Sequence, residues 1–305
     1  MMLTVSVIAS LGLLTLIAGV LLSEVSETSE VRRVQVNGTD LAYIEKGTGE
    51  PVVFIHGAIS DYRMWLSQVE VLSRKYRAVS YSRRHHYPNA FFGDASDYTR
   101  KTQAEDLATF LRSLNLGPAH LVGHSYGGSL AVMVAAEHPE LVRSLVLGEP
   151  SLFALLQTPE EKTALVSSME EALAGSFRQA QRGEGREAVR SFIKLVMGAD
   201  VFESLPESSR AIAFENARTL GPMLKTYFDP NEFDCDRIRR VRAPALIVRG
   251  ESSPVINHYI ADALKECLLH SHLFVLPKAS HGLQMEKPEE FYSALLEFLR
   301  REGSW

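Results

Sequence analysis

The sequence predicts an α/β fold: a mostly parallel, doubly wound sheet with an inserted helical cap. Three observations carry this expectation. Short apolar, β-branched runs alternate with amphipathic helical stretches over most of the chain, the pattern of strands joined by crossover helices. About ninety residues between two such runs carry helical patterns only. The length, 305 residues, suits one large domain with an inserted subdomain, and 46% hydrophobic with 23% charged residues is ordinary for a globular protein.

In chain order, two short strand patterns, Val31–Val36 and Leu41–Glu45, flank "NGTD", a hairpin turn. "PVVFIHG" is a continuous apolar run suited to a strand covered on both faces. Asp61 to Arg74 has helical spacing through Met64, Trp65, Val69 and Leu72, and "RAVSY" is a further strand. Thr99 to Leu114 is amphipathic, with Leu107, Phe110, Leu111 and Leu114 on one stripe. "AHLVGHS" reads as a strand, "YGGSLAVMVAAEHP" as a helix and "VRSLVLGE" as a strand. Beyond the helical block, "PALIVRG" is a strand, Val255–Cys267 a helix, "HLFVLP" a strand and Glu289–Arg301 a last helix. The expected divisions are 1–22, an apolar segment; 23–30, a polar acidic linker; 31–149, the first part of the core; 150–240, the cap; and 241–305, the second part of the core.

Residues Leu3–Leu22 carry no charge, and about 20 apolar residues match the length of a bilayer core. A membrane-anchoring helix is therefore expected there, with a cleaved export signal as the alternative. Arg32 and Arg33 behind it favour the cytoplasmic side for the remainder if it is anchored. A net charge of −5 gives no argument for nucleic acid. The two cysteines, Cys235 and Cys267, fit no metal or redox spacing and read as packing residues, with a disulfide between them as the alternative. No motif for a metal, nucleotide or flavin is present, and the expected partner is a small-molecule substrate.

"GHSYGG", Gly123–Gly128, fits G-x-S-x-G, with a strand before it and a helix after it. A sharp strand-to-helix turn lifts the Ser125 hydroxyl clear of the sheet, and the glycines leave room for backbone to approach. With "HGA" at His56–Ala58, "APALIVRGE" and "LPKASHGLQMEKPEEF", this motif makes Arg32 to Arg301 resemble the α/β-hydrolases with a serine nucleophile and a helical cap.

The resemblance implies that His281, in the loop after the last strand, is the base that takes the Ser125 proton. It implies an oxyanion hole formed by the backbone N–H groups of Ala58 and Tyr126. His56, His85, His86 and His124 rank below His281. Many family members carry an aspartate where this chain has Ser253, within "GESSP". Three readings follow. The acid is Glu149, at the end of the preceding core strand, where some haloalkane dehalogenases of this fold carry a glutamate; or it is Glu251; or there is none. "SYSRRHHYPNAFFGD" departs from the family's glycine-rich loop, keeping only Arg83; it reads as a structural loop with a buried arginine, or as a pocket wall for an anion. The cap residues Phe177, Phe192, Met197, Phe202 and Phe214 are candidates for an acyl pocket or for helix packing.

The expected activity is therefore hydrolysis of a carboxylic ester or lactone of a small apolar molecule through an acyl-enzyme. The alternatives are a weakly catalytic or non-catalytic ligand-binding homologue and a cofactor-free perhydrolase.

Overall fold

The computed structural model describes residues 30–156, 160–198, 201–225, 227 and 234–302. An eight-stranded sheet forms the centre, in the order β1-β2-β4-β3-β5-β6-β7-β8. β1 (Arg32–Val36) and β2 (Thr39–Lys46) form the hairpin. Its turn residues Asn37 and Gly38 have φ of 44° and 77°, the left-handed pair that matches strand twist. β2 runs antiparallel to β4 (Arg77–Tyr81). From there the sheet is parallel through β3 (Pro51–Ile55), β5 (Ala119–His124), β6 (Val142–Gly148), β7 (Ala245–Gly250) and β8 (Ser271–Leu276).

The parallel strands are apolar because both faces are covered. On one face the helices Arg100–Ser113 and Tyr126–Glu137 bring Leu107, Phe110, Leu111, Leu130 and Val134 into the core. On the other, Trp65, Val69 and Leu72 meet Phe291, Leu295 and Leu299 from the helix Pro288–Glu302. The stretch read as one helix from Asp61 opens instead as a 3-10 turn, Tyr62–Trp65, which Asp61 caps, before the α-helix Leu66–Leu72. Thr99 caps the helix that follows it by accepting from the Thr102 N–H at 3.0 Å.

Between β6 and β7 every described element is helical, with Glu160–Gln181 and Gly185–Met197 the longest. The helix Val255–Cys267 then links β7 to β8. Cys235 and Cys267 are not plain packing residues. They form a disulfide with Cα atoms 5.3 Å apart, tying the short helix Cys235–Ile238 to the end of Val255–Cys267. Their separation of 32 residues hid a pairing that the fold creates.

The expected membrane anchor, and the anchored or exported placement drawn from it, is corrected. No helix among the described residues is long and apolar enough to cross a membrane. Leu3–Leu22, on which the expectation was built, lies outside the described residues. Apolar length is a necessary condition for a span and does not by itself produce one.

Candidate active site

The C-terminal ends of the parallel strands converge on one rim, where an open α/β sheet binds ligands. Ser125 follows β5, Glu149 follows β6, Gly250 and Ser253 lie at the end of β7, and His281 follows β8. Ser125, Glu149 and His281 line a single cavity of about 240 Å³.

Ser125 has φ 52° and ψ −118°, a conformation that L-residues rarely adopt. The elbow leaves no space for side chains around it. A Cβ on Gly123 would lie 2.6 Å from the Gly127 oxygen, and one on Gly127 would lie 2.3 Å from the Ile55 oxygen. The second contact brings the start of the helix against the end of β3, and so brings the "HGA" loop to the serine. A Cβ on Gly57 would be 3.4 Å from the Ser125 Cβ. The Ala58 N–H donates to no acceptor among the described residues.

Glu149 also has a positive φ, 44°, so two strained residues end adjacent strands. Its carboxylate is buried and takes four donors. Gly250 N–H reaches Oε1 at 2.7 Å, and the Ser253 hydroxyl donates to the same oxygen. Asn257 Nδ2 reaches Oε2 at 2.7 Å, and His281 Nδ1 reaches it at 2.6 Å. Burial alone would raise the Glu149 pKa; the His281 pair and the Ser253 and Gly250 donors outweigh burial and hold the carboxyl below its ordinary value. With Nδ1 turned to the carboxylate, Nε2 is the ring nitrogen left to act as a base.

Glu251 is exposed and accepts from the Lys278 N–H at 2.9 Å, with no bond to His281. Ser253, which looked like a vacancy in the sequence, is a donor to the glutamate. Asn257 went unrecognised: it stands in the first turn of Val255–Cys267, and only the fold shows which way that turn faces. Tyr227 was missed as well. Its hydroxyl bonds to the Ser125 and Ser151 hydroxyls, and burial raises its pKa. Its ring lies 6.3 Å from that of Tyr126, nearly parallel at 9°.

His124 packs beside His281, ring centroids 4.8 Å apart, and its Nε2 donates to the His281 carbonyl at 2.7 Å. Burial, then the charge of His281, pushes its pKa down to about 3, so it is a neutral support for the histidine loop. His56, His85 and His86 bond to the Gly57 carbonyl, the Asp97 carboxylate and the Ser60 carbonyl respectively, and none of them lines the cavity.

The apolar wall comes from Phe153, Leu165, Met169, Leu195, Val196 and Ile256. None of the five cap residues named from the sequence is among the lining residues. Phe202 and Phe214 pack on each other instead, centroids 5.6 Å apart. No lysine or arginine is among the described lining residues.

A family profile described as the alpha/beta hydrolase fold matches residues 50–288. The 2-hydroxy-6-oxo-6-(2'-aminophenyl)hexa-2,4-dienoic acid hydrolase of Metapseudomonas resinovorans is 26% identical over 92% of this chain and 95% of its own length. The 2-(acetamidomethylene)succinate hydrolase of Mesorhizobium japonicum is 29% identical over 88% and 94%. Among solved structures, a thermophilic esterase from Thermogutta terrifontis superposes with a TM-score of 0.72 at 23% identity, over 90% of this chain and 99% of that one. The enol-lactonase from Burkholderia xenovorans LB400 gives 0.71 at 21%, over 88% and 100%.

Proposed function

The chain belongs to the alpha/beta hydrolase fold family and is a hydrolase; from that premise we propose that it cleaves an ester-like bond, in a carboxylic ester or lactone of a small apolar molecule, with Ser125 as nucleophile, His281 as base and Glu149 as acid. The observation that carries this reading is the 2.6 Å bond from His281 Nδ1 to the buried Glu149, at the edge of the cavity that Ser125 also lines.

In this mechanism Ser125 Oγ attacks the substrate carbonyl carbon while His281 Nε2 takes its proton. The carbonyl π pair moves to oxygen, and the oxyanion is held by the Ala58 and Tyr126 N–H groups. The intermediate collapses, the bond to the leaving oxygen breaks, and His281 protonates the departing alcohol. Water, deprotonated by His281, then attacks the acyl-enzyme and returns Ser125. Glu149 keeps its charge throughout, orienting the imidazole and stabilising the imidazolium. The apolar wall takes the acyl part and excludes water.

Both named relatives act on carboxylic acids, by their names. A cavity whose described lining holds no lysine or arginine favours a neutral substrate. Turnover of p-nitrophenyl esters from acetate to decanoate tests the proposal. It should be lost by at least ~10³-fold in Ser125→Ala. Ester turnover that persists in Ser125→Ala refutes it.

A further inference from the structure

Arg83 lies at the end of β4, behind the loop that carries Ala58. It is a buried cation at 1% exposure, and it differs from its neighbour. Arg84 pairs with Asp106 at 2.6 Å and with Asp97. Arg83 has only neutral partners among the described residues: the Tyr98 hydroxyl at 3.2 Å, the Gln103 side-chain oxygen and the Gly57 carbonyl at 2.8 Å. Its guanidinium also stands 4.6 Å from the centre of the Tyr126 ring. It therefore touches both residues that adjoin the proposed oxyanion site. A buried charge without a counter-charge is costly to hold, and Nη2 of this one is given to a single peptide carbonyl, that of Gly57.

That peptide is held twice. His56 Nε2 accepts from the Arg83 N–H at 3.0 Å, so the proton of the neutral ring is on Nδ1. Nδ1–H then donates to the Gly57 carbonyl at 2.8 Å. In a trans peptide the C=O and the following N–H point in opposite directions. Two donors that fix the Gly57 carbonyl on the inner side therefore fix the Ala58 N–H on the other, where no acceptor among the described residues takes it.

We propose that Arg83, with His56, is the positioning residue of the oxyanion hole: it locks the Gly57–Ala58 peptide so that the Ala58 N–H faces the reacting carbonyl oxygen, and its unneutralised charge favours the negative charge that develops there. This rests on the serine-hydrolase reading above. The locking bonds exist before substrate arrives, so reorganisation during the reaction is avoided.

The test compares the parent protein with Arg83→Met, Arg83→Lys and Ser125→Ala. It measures kcat and KM for p-nitrophenyl butyrate and the affinity of phenylboronic acid, which forms a tetrahedral adduct on an active serine. Arg83→Met should lose ~10- to 100-fold in kcat, and a similar factor in boronate affinity, with KM within about twofold. Arg83→Lys, which keeps the charge, should recover at least half of that loss on a logarithmic scale. Should Arg83→Met not fold, His56→Leu removes the second donor to the same carbonyl and should give a ~10-fold loss of the same kind. Parent-like kcat and boronate affinity in the variant that is read, or a loss that falls in KM alone, overturns the proposal. Ser125→Ala separates the two readings. Turnover that persists in it sinks the hydrolase mechanism itself, whereas an inactive Ser125→Ala beside an unimpaired Arg83 variant sinks only the lock.

Discussion

At Glu149 a carboxylate taken out of water is compensated by four donors, one of which is the serine at the place where many family members keep their acid. The two positions are neighbours at the ends of β6 and β7, so one carboxyl can approach His281 from either strand. That exchange is testable. Ser253→Asp in the otherwise unchanged chain would set two carboxylates within bonding distance, raise the pKa of one and lower activity. In a Glu149→Ala background the same Ser253→Asp should recover at least ~10-fold of the lost kcat, because a single acid then reaches the histidine. Steady-state kinetics on one ester checks both, and a double variant no better than Glu149→Ala would contradict the exchange. The residues proposed as nucleophile and base, Ser125 and His281, are named by local motifs, since "GHSYGG" and "KASHGLQMEKPEEF" follow strands and each has a local steric reason. For the proposed acid the sequence offers only alternatives. Asn257 and Tyr227 reach the site through tertiary placement, which leaves no local pattern.

Element by element, the strands were legible because parallel strands are covered on both faces and so read as unbroken apolar runs. The cap was legible only as a region. Its amphipathic helices each have an apolar stripe, but which stripe faces a neighbour and which faces the cavity depends on how the helices cross. Phe202 and Phe214 therefore looked equivalent to Leu165, Met169 and Leu195, which form the wall. The disulfide likewise depends on two elements meeting. It closes a loop that contains β7, Ser253 and Asn257. Chain entropy gives such a loop about 3–4 kcal/mol of stabilisation. Replacing both cysteines by alanine should lower the unfolding free energy by about 3 kcal/mol, read by urea denaturation. The kcat should stay within about twofold, since neither sulfur touches the site. A collapse of activity with little loss of stability would show instead that the bond aligns Asn257 and Ser253.

Across the whole molecule, four buried histidines contribute to the response to acid. His56 and His86 have pKa values held well below the ordinary 6.5 by burial and by Arg83, burial takes His124 to about 3, and burial lowers that of His120. In the unfolded chain all four return to about 6.5. As pH falls below 6.5 the unfolded state binds their protons and the native state does not. The stability they contribute is complete above that value and is lost progressively toward the native pKa values, at roughly 1 kcal/mol per pH unit for each. Thermal midpoints should therefore fall steeply between pH 6.5 and 4.5, before most carboxylates titrate. The slope should be shallower in His86→Gln, and a midpoint flat over that range would contradict the assignment of neutral buried rings.

Ser125, Glu149 and His281 meet at the carboxyl-end rim of one sheet, and the proposed mechanism requires Glu149 to act there as the acid. The most direct measurement is kcat/KM of Glu149→Gln on p-nitrophenyl butyrate, beside Glu251→Gln. The amide keeps the shape but cannot hold the imidazolium with a negative charge, so a loss of at least ~10²-fold is expected, with Glu251→Gln near the parent. Near-parent turnover in Glu149→Gln, with the loss falling on Glu251→Gln or on neither, would contradict it.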